Sequence, residues 1–241
     1  MTIADNLRSV TGRIAAACQA TGRQPDSVRL LPISKTQPID RLRQAMAAGR
    51  VSFGENRVQE MAAKAALLGP GVSWCLVGHL QRNKVYQALA AMTELQSLDS
   101  ARLAEVLQRA LAASGARLRV LVEVNTSGEA SKHGLDPGEV MAFTAGLVAY
   151  PNLAAVGLMT VAHPDPILAG AGFDQVVELQ DRLRQRDGGG WDELSMGMSG
   201  DFEAAIGHGS TCVRIGTAIF GARPSTAIGP AVLGSHETID R

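Results

Sequence analysis

The feature that most constrains this chain is one alternation repeated along most of its length. Short apolar runs occupy residues 28–36, 51–54, 72–77, 94–98, 118–124, 153–159, 193–196 and 212–215. Runs this brief, rich in branched residues and bounded by Gly or Pro, read as buried strands. Between them lie stretches with apolar residues at helical spacing. Strands alternating with helices predict a parallel sheet. Eight such units in 241 residues fit a closed (β/α)8 TIM barrel, whose usual length is about 250 residues. The alternative, an open doubly wound sheet, is disfavoured because no G-x-G-x-x-G turn follows the first strand. Pro32 weakens the strand assignment at the end of the first run, since it lacks a ladder donor.

The helical stretches are periodic in their own right. Residues 1–22 place Ile3, Leu7, Val10 and Ile14 on one face, with Asp5 in the first turn. Ile39, Leu42 and Met46 mark a second helix, closed by Gly49. Further helices are expected over residues 55–67, 81–92, 103–111, 137–149, 176–183 and 201–206, with Pro137 in a first turn. No Pro/Gly/Ser linker divides the chain. Residues 1–223 therefore form one domain with an N-terminal helix, and the aperiodic residues 224–241 form a tail. Absence of a long heptad or a large apolar stripe predicts a monomer.

Composition removes several function classes. Lys+Arg 23 against Asp+Glu 23 gives a formal net charge of zero, which argues against a nucleic-acid or membrane surface. No stretch approaches the roughly 18 apolar residues of a membrane helix. The first residues carry Asp5 and lack a signal-peptide core. Cys18, Cys75 and Cys212 are odd in number and far apart, without metal or redox spacing, so a reducing cytoplasmic setting and no metal site are expected.

Lys35 ends the first strand, where α/β folds place ligands. Apolar neighbours solvate an ammonium poorly and favour the free amine that attacks a carbonyl. Position alone equally suits a surface lysine. Ser199 precedes the short helix at 201–206 as an N-cap candidate, with Asp201 and Glu203 following. Gly207, Gly209, Ser210 and Thr211 lead into the eighth strand, and Gly216 and Thr217 leave it. Glycines and hydroxyls after strands seven and eight suit a phosphate; ordinary turn chemistry is the alternative. Arg214, inside the last strand, needs a polar partner for its donors, either a ligand or a buried ion pair. Asn56 can reach the same barrel mouth, while Glu55 and Glu60 read as helix-capping or solvated groups. His79 reads as structural, and Lys132 and His133 as parts of a solvated loop.

In chain order, PISKT, FGENRVQE, GHLQRNK, VNTSGEASKHGL, GLMT, LSMGMSGDFEAAI and VRIGTAIFG closely resemble the YggS/PROSC family of pyridoxal-phosphate-binding homeostasis proteins, from about Val28 to Arg223. The resemblance implies a barrel like the N-terminal domain of alanine racemase. It implies that Lys35 holds pyridoxal 5′-phosphate as a Schiff base. It implies that Ser199, Gly216 and Thr217 cradle the phosphate, that Arg214 faces the pyridine nitrogen, and that Asn56 lines the pocket. The implied role is intracellular cofactor homeostasis without turnover, with pyridoxal-phosphate-dependent apoenzymes as recipients. An arginine cannot lend its proton to the ring, which weakens the ring as an electron sink. Racemisation also needs a second base, and Tyr86 and Tyr150 stand in no racemase-like motif. An amino-acid racemase or decarboxylase is the alternative, and a Schiff-base aldolase a more distant one.

Overall fold

Each apolar run becomes a strand of one parallel sheet. The structure is a computed structural model describing residues 1–129 and 132–222. Its strands are β1 (Arg29–Pro32), β2 (Ser52–Glu55), β3 (Ser73–Leu76), β4 (Met92–Leu98), β5 (Leu118–Glu123), β6 (Leu153–Met159), β7 (Glu193–Ser195) and β8 (Cys212–Ile215). They pair in the order β1-β8-β7-β6-β5-β4-β3-β2. The ring closes between β1 and β2 through a parallel bridge, Ile33 with Gly54, and Ser34 N–H donates to the Gly54 carbonyl at 2.9 Å. The barrel expected from the alternation is the architecture observed. The tail at 224–241 lies outside the described residues.

Pro32 belongs to β1 without breaking a ladder. Arg29 N–H donates to Thr211 and Ile33 N–H to Ile215, so the odd-numbered donors of β1 face β8. The nitrogen of Pro32 therefore faces β2, across the sparsely bonded seam. Proline is tolerated where its missing donor has no ladder partner to lose. Gly54 lets the seam close: a Cβ there would stand 2.4 Å from Ile33 Cδ1.

The helices are α1 (Ile3–Ala20), α2 (Ile39–Ala47), α3 (Val58–Leu68), α4 (Val85–Leu89), α5 (Ala101–Ala112), α6 (Val140–Gly146), α7 (Pro166–Asp187), α8 (Phe202–Gly207) and α9 (Thr217–Phe220). Thr2 and Asp5 form a capping box on α1, whose buried Ile3, Leu7, Val10, Ile14 and Cys18 pack inward. That helix lies against α8 and α9, outside the β1–β8 pair. Several boundaries differ from the sequence reading. Glu55 ends β2 rather than starting a helix, because its carboxylate is consumed in a buried network. Residues 82–84 form a 3-10 turn before α4, and β4 already begins at Met92. Pro137 precedes α6 instead of opening it. Asp165 caps α7 by accepting from Ile167 and Leu168 N–H, so that helix starts well before Val176.

Inside the barrel a small apolar cluster of Leu31, Ile33, Cys75 and Cys212 is buried. Beside it runs a polar chain. Arg29 Nη2 donates to Glu94 at 2.7 Å and Gln96 Nε2 donates to the same carboxylate at 2.7 Å. Ser195 Oγ then donates to Gln96 Oε1 at 2.7 Å, and Arg214 Nη1 to Ser195 Oγ at 2.7 Å. The large majority of buried polar groups are bonded in this way. The chain of contacts carries fixed orientation from the lower barrel to Arg214.

Candidate functional site at the C-terminal mouth of the barrel

Parallel pairing sends every strand's C-terminal end to one rim. Leu31 pairs with Arg214 and Pro32 with Ile215, so Lys35 and Gly216 leave adjacent strands at that rim. Asn56 follows β2, Thr160 follows β6 and Ser199 lies beyond β7. Lys35 is partly buried and keeps the parity of Leu31 and Ile33, which pack inside the barrel.

The backbone around Lys35 is fixed from below. Ser34 Oγ donates to Glu55 Oε1 at 2.7 Å. Lys64 Nζ, from α3, donates to the Ser34 carbonyl at 2.6 Å, to Glu55 at 2.6 Å and to Glu60 at 2.7 Å. Glu60 also accepts the Thr36 N–H at 2.5 Å. Thr36 has φ 61, a left-handed conformation costly for a β-branched residue. Burial pushes the Glu55 carboxyl up, while hydrogen bonds from Lys64 and Ser34 pull it down. Glu55 and Glu60 are therefore not helix caps or solvated groups; they brace the segment that carries Lys35. A lysine inside the apolar stretch MAAKAALL of α3 was the one signal of this network.

Arg214 is buried and bonds twice, to Ser195 Oγ and, through Nη2, to the Thr160 carbonyl at 2.7 Å. Burial weakens its hold on its proton, though guanidinium remains the form at neutral pH. It makes no ion pair among the described residues, so the buried-salt-bridge alternative fails.

Ser199 does not cap α8, whose first turn receives no side-chain bond. Its Oγ instead accepts from Ala218 N–H at 3.4 Å, at the start of α9. Gly216 and exposed Thr217 adjoin that contact, so the three residues expected to hold a phosphate meet at one place. Gly207, Gly209, Ser210 and Thr211 do not join them. They stand at the opposite end of β8, where Ser210 Oγ donates to the Met196 carbonyl at 2.7 Å.

Asn56 is half-buried and lines a cavity of about 310 Å³ with His79, Glu123, Asn125, Lys132 and His133. A Cβ on Gly78 would lie 2.3 Å from the Asn56 carbonyl, so glycine is required beside it. Glu123 escaped the sequence reading. It is buried at the end of β5, with Oε2 unbonded. Burial, helped by the charge of Asp99 and opposed by Arg214, pushes its carboxyl up to about 7. The signal was an acid closing the apolar run LRVLVE.

Residues 6–224 match the family described as alanine racemase, N-terminal domain. The pyridoxal phosphate homeostasis protein of Pseudomonas aeruginosa is 43% identical over 225 residues, which cover 92% of this chain and 96% of that protein. The chain belongs to the pyridoxal phosphate homeostasis protein family. The human pyridoxal phosphate homeostasis protein is 39% identical over 242 residues, covering 90% of this chain and 85% of its own. PipY of Synechococcus elongatus, solved with pyridoxal phosphate bound, superposes with a TM-score of 0.78 at 33% identity, covering 91% of this chain and 100% of PipY. As a member of the pyridoxal phosphate homeostasis proteins, the chain shares the barrel of the racemase domain. Among its described residues no helix is long and apolar enough to cross a membrane.

Proposed function

We propose that this chain binds pyridoxal 5′-phosphate at the C-terminal mouth of its barrel and serves intracellular homeostasis of that cofactor, without catalytic turnover. The observation that carries this reading is the β1–β8 register, Leu31 opposite Arg214. It brings the ends of the first and last strands, with Lys35, Arg214, Gly216 and Thr217, to one rim.

When bound, the cofactor supplies an aldehyde and an electron-withdrawing ring. Lys35 Nζ is the nucleophile for covalent attachment to that aldehyde. Ser199, Gly216 and Thr217 receive the phosphate through hydroxyls and backbone N–H groups. Their fit is supported by the Ser199 contact to Ala218, which gathers these donors at one turn. Arg214 presents its guanidinium to the ring nitrogen. Fixed by Ser195 and Thr160, it orients the ring and keeps its own proton. Asn56 bounds the pocket on the β2 side.

Absence of turnover is supported by the tyrosines. Tyr86 is exposed on α4, and Tyr150 precedes β6, at the opposite rim. Glu123 favours a second reading, a racemase or decarboxylase of a small amino acid, because a carboxyl near neutrality at this mouth suits proton transfer. The names of the curated relatives favour homeostasis. We further propose a cytoplasmic monomer, a single domain over residues 1–223, with pyridoxal-phosphate-dependent apoenzymes as recipients.

Borohydride reduction of the cofactor-loaded protein, followed by peptide mass spectrometry, tests the core of this reading. A pyridoxyl label on Lys35 is expected. A label on Lys84 or Lys132 with Lys35 unmodified overturns it. A panel of D- and L-amino acids separates the two readings: turnover lost in Lys35→Ala selects the enzyme.

A further inference from the structure

Three side chains that the proposed cofactor contacts do not use converge above β3, β4 and β5. His79 follows β3, Asp99 follows β4, and His133 lies in the loop after β5. His79 Nδ1 is 3.0 Å from Asp99 Oδ2. The His133 ring stacks on His79 with centroids 4.0 Å apart and planes 10° apart. One donor atom from each of the three lies within 4.8 Å of the other two. We infer that His79, Asp99 and His133 bind one divalent transition-metal ion of the zinc class.

The chemistry of the donor set selects that class. Two imidazoles and one carboxylate suit zinc and its first-row neighbours, and leave a position open to water. Calcium and magnesium prefer six or more oxygen ligands, which this group does not offer. Both histidines are exposed, so their rings can fan from stacked to converging with little loss of packing.

A second observation points to the same place. Glu123 is 8% exposed and its Oε2 has no hydrogen-bond partner, yet it lines the cavity shared by His79 and His133. An unpartnered buried carboxylate oxygen is costly. Lys132 also lines that cavity, but its Nζ is held by Glu129 at 2.7 Å, and Arg214, whose charge acts on Glu123, is bonded to Ser195 and Thr160. The charges of Asp99 and Glu123 act on each other across neighbouring strands. A divalent ion at the His79–Asp99–His133 group offsets both carboxylates, beside the cavity that Glu123 lines. It also ties the β5 loop to the ends of β3 and β4, beside the cavity that Asn56 lines.

The inference is independent of cofactor attachment at Lys35. The test uses full-length, tag-free protein treated with a chelator and then dialysed, with no cofactor added. Calorimetric titration with Zn²⁺ should give one site per chain. His79→Ala and His133→Ala should each weaken it by about tenfold or more. His208→Ala, which removes a histidine paired with Asp174 elsewhere, should leave it unchanged. Co²⁺ should produce visible d–d bands that His133→Ala abolishes, an independent readout in a variant altered only at an exposed loop. Failure to bind Zn²⁺ at millimolar concentration, or binding indifferent to both His79→Ala and His133→Ala, overturns the inference.

Discussion

The ammonium of Lys64 sits 2.6 Å from Glu55 Oε1, and both side chains are buried. The same ammonium reaches the Ser34 carbonyl, one residue before Lys35. A buried pair contributes little net stability when formed, because desolvation offsets attraction. Breaking it strands a charge. Its value here lies in holding the Lys35 backbone still.

Lys64→Met should therefore destabilise the protein by about 3–5 kcal/mol at neutral pH, the usual cost of orphaning a buried charge. Urea unfolding measures the loss. Lys64→Met combined with Glu55→Gln should recover part of it, since the fully buried charge is gone and half-buried Glu60 keeps the Thr36 N–H. Equal destabilisation in the single and double variants would show that the charge is irrelevant.

Glu123→Gln should act in the opposite direction. The carboxyl is pushed from 4.5 up to about 7, so the folded state binds a proton that the unfolded state has released between those values. Stability is then lost as pH rises through that window, by about 3 kcal/mol in full. The glutamine variant should be more stable than the parent at pH 8, with the gain shrinking below pH 7 and vanishing below 4.5. Urea midpoints in the presence of a chelator, compared across that range, check the sign. A constant difference at all pH values defeats it.

Ser199→Ala with Thr217→Ala should weaken retention of pyridoxal 5′-phosphate. Each lost hydrogen bond to a charged group costs about 1.5–3 kcal/mol, so the double variant should lose about a hundredfold or more in affinity. Fluorescence titration of the stripped protein gives the number. Unchanged affinity would move the phosphate elsewhere.

Gly78→Ala should disturb the mouth from the β3 side. Its new methyl would stand 2.3 Å from backbone, the Asn56 carbonyl, which cannot rotate away. Overpacking of this kind costs about 1–3 kcal/mol. Thermal unfolding together with cofactor affinity measures it; an unperturbed protein would mean that the β2 and β3 loops yield freely.

The barrel was legible because each strand is a short apolar run between punctuating residues, a pattern needing no knowledge of distant contacts. The placement of Lys35, Asn56 and Gly216 just past strand ends is legible for the same reason. Glu55 reads as a cap because an acid stands before a helical pattern, and only its burial against Lys64 says otherwise. Ser199 reads as a cap of the helix nearest in sequence, whereas its hydroxyl turns to α9. His79, Asp99 and His133 come from three separate loops, so no local spacing announces them. What the chain hides is what depends on pairing across it.

The β1–β8 register has a consequence for how the protein is made. Lys35 leaves the ribosome well before Arg214, Gly216 and Thr217, which belong to β8 and the turn into α9. Their pairing spans most of the chain, and contacts so distant in sequence form late because the intervening segment must first be ordered. On the proposed site, a growing polypeptide thus carries Lys35 long before it owns the turn proposed to receive the phosphate. If the cofactor sits as proposed, closing the ring and becoming able to hold it are one event.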